Sequence, residues 1–173
     1  MTMSRNPLLI GALGSFLLPL CLVTAAFGSE LAGLEACEMC WWQRWAHIYA
    51  MAPGCAAILF QTRLMRNHLP ERADNAARTW LRVAALLILS SGLIGAYHAG
   101  VEYGWWEGHT ACTSGGLAFN SLEDMAKRMA GETIVPCGIP QWTLFGISLA
   151  GYNAIISISG AVLVFLLSRR PSK

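Results

Sequence analysis

Apolar residues fall into four long blocks, at about residues 7–28, 45–61, 83–100 and 143–167, separated by shorter polar stretches. Each block is close to the roughly 20 residues that a helix needs to cross the hydrocarbon of a bilayer. Bilayer hydrocarbon offers backbone groups no water, so spans of this kind must be helical, and the two-residue alternation of barrel strands is not seen in the sequence. The pattern predicts an all-α membrane protein: a four-helix transmembrane bundle forming one integral membrane domain over residues 1–173, with loops at about 29–44 and 101–142 on one side. Arg5 ahead of the first block and Ala25, Ala26 and Gly28 at its end resemble a cleaved signal. The block is longer than a signal's apolar core of about 7–15 residues, so it is read as a span. Pro19, Pro53 and Gly54 within spans are tolerated in membranes and suggest kinks. Small residues such as Ser91, Gly92, Gly95, Gly151 and Ala154 suggest close packing of the third and fourth helices.

Composition agrees, with 55% hydrophobic and 13% charged residues and a mean hydropathy of +0.47. The net charge of +2 hides an asymmetry. Arg5, the loop after the second block with Arg63, Arg66, Arg72, Arg78 and Arg82, and the tail with Arg169, Arg170 and Lys173 fall on one side of a four-span chain. The other side holds Arg44, Lys127 and Arg128 against Glu30, Glu35, Glu38, Glu102, Glu107, Glu123, Asp124 and Glu132. Positive charge is retained inside, which predicts cytoplasmic termini and leaves no basic patch for nucleic acid. Trp41, Trp42, Trp45, Trp105, Trp106 and Trp142 fall at the outer ends of the spans, as interfacial anchors or as a surface for a flat ring, while Trp80 marks the inner side.

The longer outer loop must carry structure or function. Within it, Asn120 or Ser121 can cap a short helix that Gly131 ends, with Glu123 and Asp124 in its first turn. Leu122, Met125, Ala126 and Met129 share one face, so a short amphipathic helix in the headgroup region is expected there.

Topology sorts the six cysteines. Cys21 and Cys55 lie within spans, where a thiol is ordinary packing. Cys37, Cys40, Cys112 and Cys137 lie two to each outer loop, facing the side where disulfides persist. Four cysteines permit several pairings. Cys37-Glu38-Met39-Cys40 has redox spacing and stands at a helix start, where the helix dipole and Arg44 one turn on raise the thiolate fraction. Haem attachment is excluded because Trp41 stands where a histidine is needed. Zinc would need ligands such as His109 added, and thiols facing an oxidising space are expected as disulfides, so no metal is expected.

Two further polar residues fall at the same depth, Arg44 opening the second span and His98 ending the third. Arg44 can anchor to headgroups or, with Gln43 beside it, donate hydrogen bonds to an oxygen that gains negative charge. His98 can be a satisfied polar contact or a proton carrier with a near-neutral pKa.

Cys37-Glu38-Met39-Cys40-Trp41-Trp42-Gln43-Arg44 resembles the C-x-[LM]-C-x-x-Q-R signature of the disulfide bond formation protein B (DsbB) family, bacterial quinone-linked thiol oxidases. Cys112 and Cys137 are placed like that family's second-loop pair, and Tyr97-His98 and Pro140-Gln141-Trp142 are also similar. The resemblance implies a bacterial inner-membrane enzyme with periplasmic cysteine loops that re-oxidises a soluble thioredoxin-fold thiol oxidase (DsbA-like). Cys112 would take the mixed disulfide, with Cys137 its pair. Electrons would pass through Cys37 to Cys40 and on to a membrane quinone, ubiquinone or menaquinone. Arg44 and Gln43 would bind the quinone and His98 would line or protonate its site. Thiol exchange is nearly reversible, about 1.4 kcal/mol per 30 mV, so a strongly oxidising partner needs a better electron sink to be recharged. A vitamin K epoxide reductase-like protein would carry its C-x-x-C late in the chain, and a scaffold stapled by structural disulfides would hold unreactive cystines.

Overall fold

The computed structural model describes residues 6–62, 68–108 and 135–171. Four long helices dominate: α1 (Pro7–Leu31), α2 (Glu38–Phe60), α3 (Pro70–Glu102) and α4 (Leu149–Arg169). Each start has a local cause. The Asn6 side chain accepts the Leu8 N–H ahead of Pro7, the Cys37 sulfur caps α2, Pro70 opens α3 where no amide is needed, and Ser148 Oγ accepts the Gly151 N–H. Pro19 and Pro53 stand inside α1 and α2, which continue through them.

The chain runs up and down. At one end Asn6 donates to Gln61, Gln61 to Asp74, and Arg78 to the Ser168 carbonyl, joining the start of α1, the end of α2, the start of α3 and the end of α4. At the other, Arg44 reaches Ala26 and Glu30 of α1, and the Tyr103 hydroxyl accepts from Ser148 N. Among the described residues, three helices, α1, α3 and α4, are long and apolar enough to cross a membrane. α2 has the length, but Trp41, Trp42, Gln43, Arg44, Trp45 and His47 lower the hydropathy of its first half. The protein is a multi-pass membrane protein, and its side chains are arranged accordingly. Gly11, Ala12, Ser15, Ala154, Ser157 and Ala161 face inward, while Leu13, Leu17, Leu86, Leu93, Leu163 and Phe165 face outward. Apolar bulk outside and small residues inside suit a hydrocarbon solvent.

The helix limits depart from the predicted spans in three places. α2 starts at Glu38, so the C-x-x-C lies in its first turn. α3 starts at Pro70, placing Arg72, Arg78 and Arg82 on helix instead of in a loop. The block predicted to span from Thr143 first forms a hairpin, β1 (Thr143–Leu144) pairing antiparallel with β2 (Ile147–Ser148), and α4 begins only at Leu149. Phe145 and Gly146 both have positive φ, 51° and 77°, as a two-residue hairpin turn requires. This hairpin is the departure from an all-helical fold among the described residues. The amphipathic helix expected over residues 121–129 lies outside them.

α3 packs extensively on both α2 and α4. A Cβ on Gly92 would stand 2.8 Å from Ile158 Cγ1 and 3.0 Å from the Ile158 backbone nitrogen, so this crossing has no room for a side chain. Gly92→Val is therefore expected to lower stability by about 1–3 kcal/mol, whereas Gly14→Val, where nothing lies within 4 Å, should be near neutral. Thermal unfolding in detergent micelles measures both, and equal losses would show that the α3–α4 approach is not tight.

Candidate active site

The site forms where the start of α2 meets the end of α3. Cys37 Sγ accepts the backbone N–H of Cys40 at 3.4 Å, which is the helix cap itself, and its S–H donates to Cys40 Sγ at 3.1 Å. That donation and the exposed amides of the first turn favour negative charge on the Cys40 sulfur. Cys37 is also hydrogen-bonded to Cys137, which is buried. Its bonds to Cys137 and Cys40, with burial, push the Cys37 thiol up from its ordinary range. Cys37 therefore holds a proton between two sulfurs, one on its own helix and one from the second outer loop. Met39, Val101 and Val135 pack round this centre. Cys112 and His109 lie outside the described residues. Cys21 and Cys55 are exposed on the outside of α1 and α2, away from it.

His98 is buried at the end of α3, with Nε2 3.6 Å from Cys37 Sγ and 3.8 Å from Glu102 Oε1. Its Nδ1 lies 3.1 Å from Gln43 Nε2, which also donates to the Met39 carbonyl at 3.0 Å. Because a carbonyl can only accept, the Gln43 nitrogen must be the atom facing both, so His98 Nδ1 is an acceptor. The His98 proton consequently sits on Nε2, toward the thiols. Gln43 Oε1 in turn accepts from Asn153 Nδ2 at 2.8 Å. Its amide thus links Met39, His98 and Asn153 while the residue also lines a cavity.

Arg44 does not snorkel. It is 6% exposed, donates to Glu30 Oε2 at 2.6 Å and to the Ala26 carbonyl at 3.0 Å, and lies over the rings of Phe27 and Trp41 at 4.8 and 5.0 Å. Two hydrogen bonds leave further guanidinium donors.

Cys37, Cys40, Gln43, Arg44, His98 and Glu102 border one cavity of about 370 Å³ that all four helices help to line. α1 contributes Leu22, Ala25 and Ala26, α4 contributes Leu149 and Ile156, and the polar side is built by Cys37, Cys40, Gln43, Arg44, His47 and His98. An apolar slot of this size with a few convergent polar groups is the usual form of a small-molecule site. The donor atoms of Cys37, Cys40 and His98 lie within 4.8 Å of one another, a spacing that thiol exchange needs and that a soft cation could also bridge.

Three lining residues escaped the sequence reading: Glu102, counted there only as outer acid, and His47 and Asn153. The signals were present. His47 follows Arg44 by three residues and Cys40 by seven, which puts all three on one helix face, and Asn153 is the one amide in the fourth apolar block.

Comparison with known proteins adds one match. The family model described as disulfide bond formation protein DsbB matches residues 4–167. Searches of curated proteins and of solved structures give no match. With a family match over nearly its whole length and a thiol centre at the expected motif, the chain belongs to the disulfide bond formation protein DsbB family.

Proposed function

We propose that this protein is a thiol:quinone oxidoreductase of the bacterial inner membrane, with cytoplasmic termini and periplasmic cysteine loops. It re-oxidises a soluble thioredoxin-fold thiol oxidase and passes the electrons through Cys112–Cys137 and Cys37–Cys40 to ubiquinone or menaquinone. The observation that carries this reading is the gathering of Cys37, Cys40 and Cys137 at the edge of an apolar cavity that Arg44 and His98 also line. The residues fit a quinone: an apolar slot for the ring, guanidinium donors for an oxygen, and a thiol pair beside it.

The chain's own part is exchange. A thiolate of the partner attacks Cys112 of the Cys112–Cys137 disulfide, forming a mixed disulfide and releasing Cys137 as thiolate. Cys137 attacks Cys37 of the Cys37–Cys40 disulfide, the bond between them forms, and Cys40 leaves as thiolate. The hydrogen bond between Cys137 and Cys37 supports this order, and His98 Nε2–H stands ready to stabilise the Cys37 sulfur. The partner's second thiolate then resolves the mixed disulfide, and Cys112 attacks Cys137 and frees Cys37. A quinone, when bound, supplies the sink for the two electrons and two protons that Cys37 and Cys40 give up in reforming their disulfide. Arg44 would hold the oxygen that gains charge.

Solvent extraction of the purified protein should yield a quinone. Thiol counts before and after addition of a reduced dithiol protein should show oxidation only while quinone is supplied. Absence of both results would leave the cysteines as structural.

A further inference from the structure

The cavity has a polar contact beyond the thiol centre. Among the described residues, the buried side-chain polar atoms without a hydrogen-bond partner are His47 Nδ1 and Glu102 Oε2, and both residues line this cavity. His47 is 3% exposed. Its protonation pattern follows from a chain of orientations that ends on a backbone carbonyl. The Met39 carbonyl and His98 fix the Gln43 amide nitrogen on their side, so Gln43 Oε1 faces Asn153. Asn153 must present its nitrogen to that oxygen, and the same nitrogen reaches the Ser91 carbonyl at 3.3 Å. Asn153 Oδ1 is thereby turned to His47 Nε2 at 3.0 Å, and it also accepts from Ser157 Oγ at 2.9 Å. An oxygen that can only accept requires Nε2 to carry the proton, so the neutral ring exposes a bare lone pair at Nδ1.

We infer that His47 Nδ1 is the hydrogen-bond acceptor for a hydroxyl of a reduced ring, a hydroquinone, bound in this cavity. This rests on the quinone reading and adds to it a preference between redox states. A lone pair accepts from a hydroquinone O–H and offers nothing to a quinone carbonyl. Arg44 and His47 lie three residues apart on α2, a rise of about 4.5 Å, and both line this cavity. A site that holds the reduced ring more tightly than the oxidised one makes the bound acceptor more oxidising, by about 30 mV for each tenfold of preference. His47 thus helps draw electrons from the Cys37–Cys40 pair without touching a sulfur.

The test titrates full-length oxidised protein, in detergent and without oxygen, with a short-chain benzoquinone and separately with its hydroquinone, read by tryptophan fluorescence. His47→Phe keeps the ring's bulk and removes the acceptor. It is expected to weaken hydroquinone binding about tenfold, the worth of one hydrogen bond, and to change quinone binding less than about twofold. His47→Asn, which restores an acceptor near Nδ1, should recover most of the preference. In the unmutated protein, ¹⁵N-histidine NMR should show an unprotonated His47 Nδ1 whose resonance moves with hydroquinone and stays with quinone. Equal losses for both ligands, or an Nδ1 resonance indifferent to hydroquinone, overturn the inference while leaving the quinone reading intact. If neither ligand binds the unmutated protein, the quinone reading falls and this inference with it.

Discussion

Replacing Cys40 by serine is expected to abolish quinone-dependent oxidation of a dithiol protein while leaving the first exchange steps in place. Cys37 is the sulfur in contact with Cys137, and Cys40 is the one its S–H donates to. Without Cys40, Cys37 still exchanges with the second loop but has no neighbour with which to form the disulfide that delivers two electrons. Where the Cys112–Cys137 disulfide is present, the Cys37 thiolate of the Cys40→Ser protein can displace Cys112 from it, so a Cys37–Cys137 disulfide with a free Cys112 thiol should accumulate, visible by mass spectrometry of non-reduced digests. Its turnover should fall to background, at least the hundredfold that separates a missing catalytic group from a weakened one. Cys37→Ser should be equally inactive without that cross-link. The fold is not at stake in that variant, because serine is a good helix cap and Cys37 serves as one. Cys21→Ser and Cys55→Ser should keep full activity, since both thiols face outward from the bundle. Residual turnover in Cys40→Ser would mean that electrons reach the acceptor by another route.

The helices were legible because their apolar blocks are long and uninterrupted, and no other element satisfies its backbone in hydrocarbon. The hairpin at Thr143–Ser148 was not. Its residues are as apolar as the helix that follows, and nothing in hydropathy separates an extended Leu144 from a helical Leu149. The left-handed Phe145 hides the turn further, because that conformation is normally announced by Gly or Asn in both places. The site divides in the same way. Cys37, Cys40 and Arg44 follow from spacing on one helix, and His98 from its depth in an antiparallel bundle. Gln43 shows where spacing stops: the sequence offers it as a ligand donor, and its contacts with Met39, His98 and Asn153 could not be read from spacing. Which partner an amide chooses is decided by helices distant in sequence, here α3 and α4. The same holds for His47, whose lone pair is set by Asn153, more than a hundred residues away.

Arg44→Ala is expected to lower the rate of quinone reduction on the order of a hundredfold, the effect of removing a donor from a developing oxyanion, and Arg44→Lys to recover only part of it. The structure gives Arg44 two possible tasks, because the same guanidinium pins α1 through Glu30 and Ala26 and lines the cavity. Lysine keeps the charge but cannot hold Glu30 and the Ala26 carbonyl with one planar fork while facing a ligand. Glu30→Gln separates the tasks. It weakens the pin, leaves the cation in the cavity wall, and removes only the charge of a partly exposed carboxylate, keeping an oxygen that can still accept from Arg44. If Arg44 acts on the ligand, Glu30→Gln should retain quinone KM and kcat within about threefold while Arg44→Lys raises KM severalfold. Should Glu30→Gln reproduce the Arg44→Lys defect, with both proteins less stable to heat by the same amount, Arg44 acts as a strut between α1 and α2, and the charge on the quinone oxygen must be met by another donor of the cavity wall.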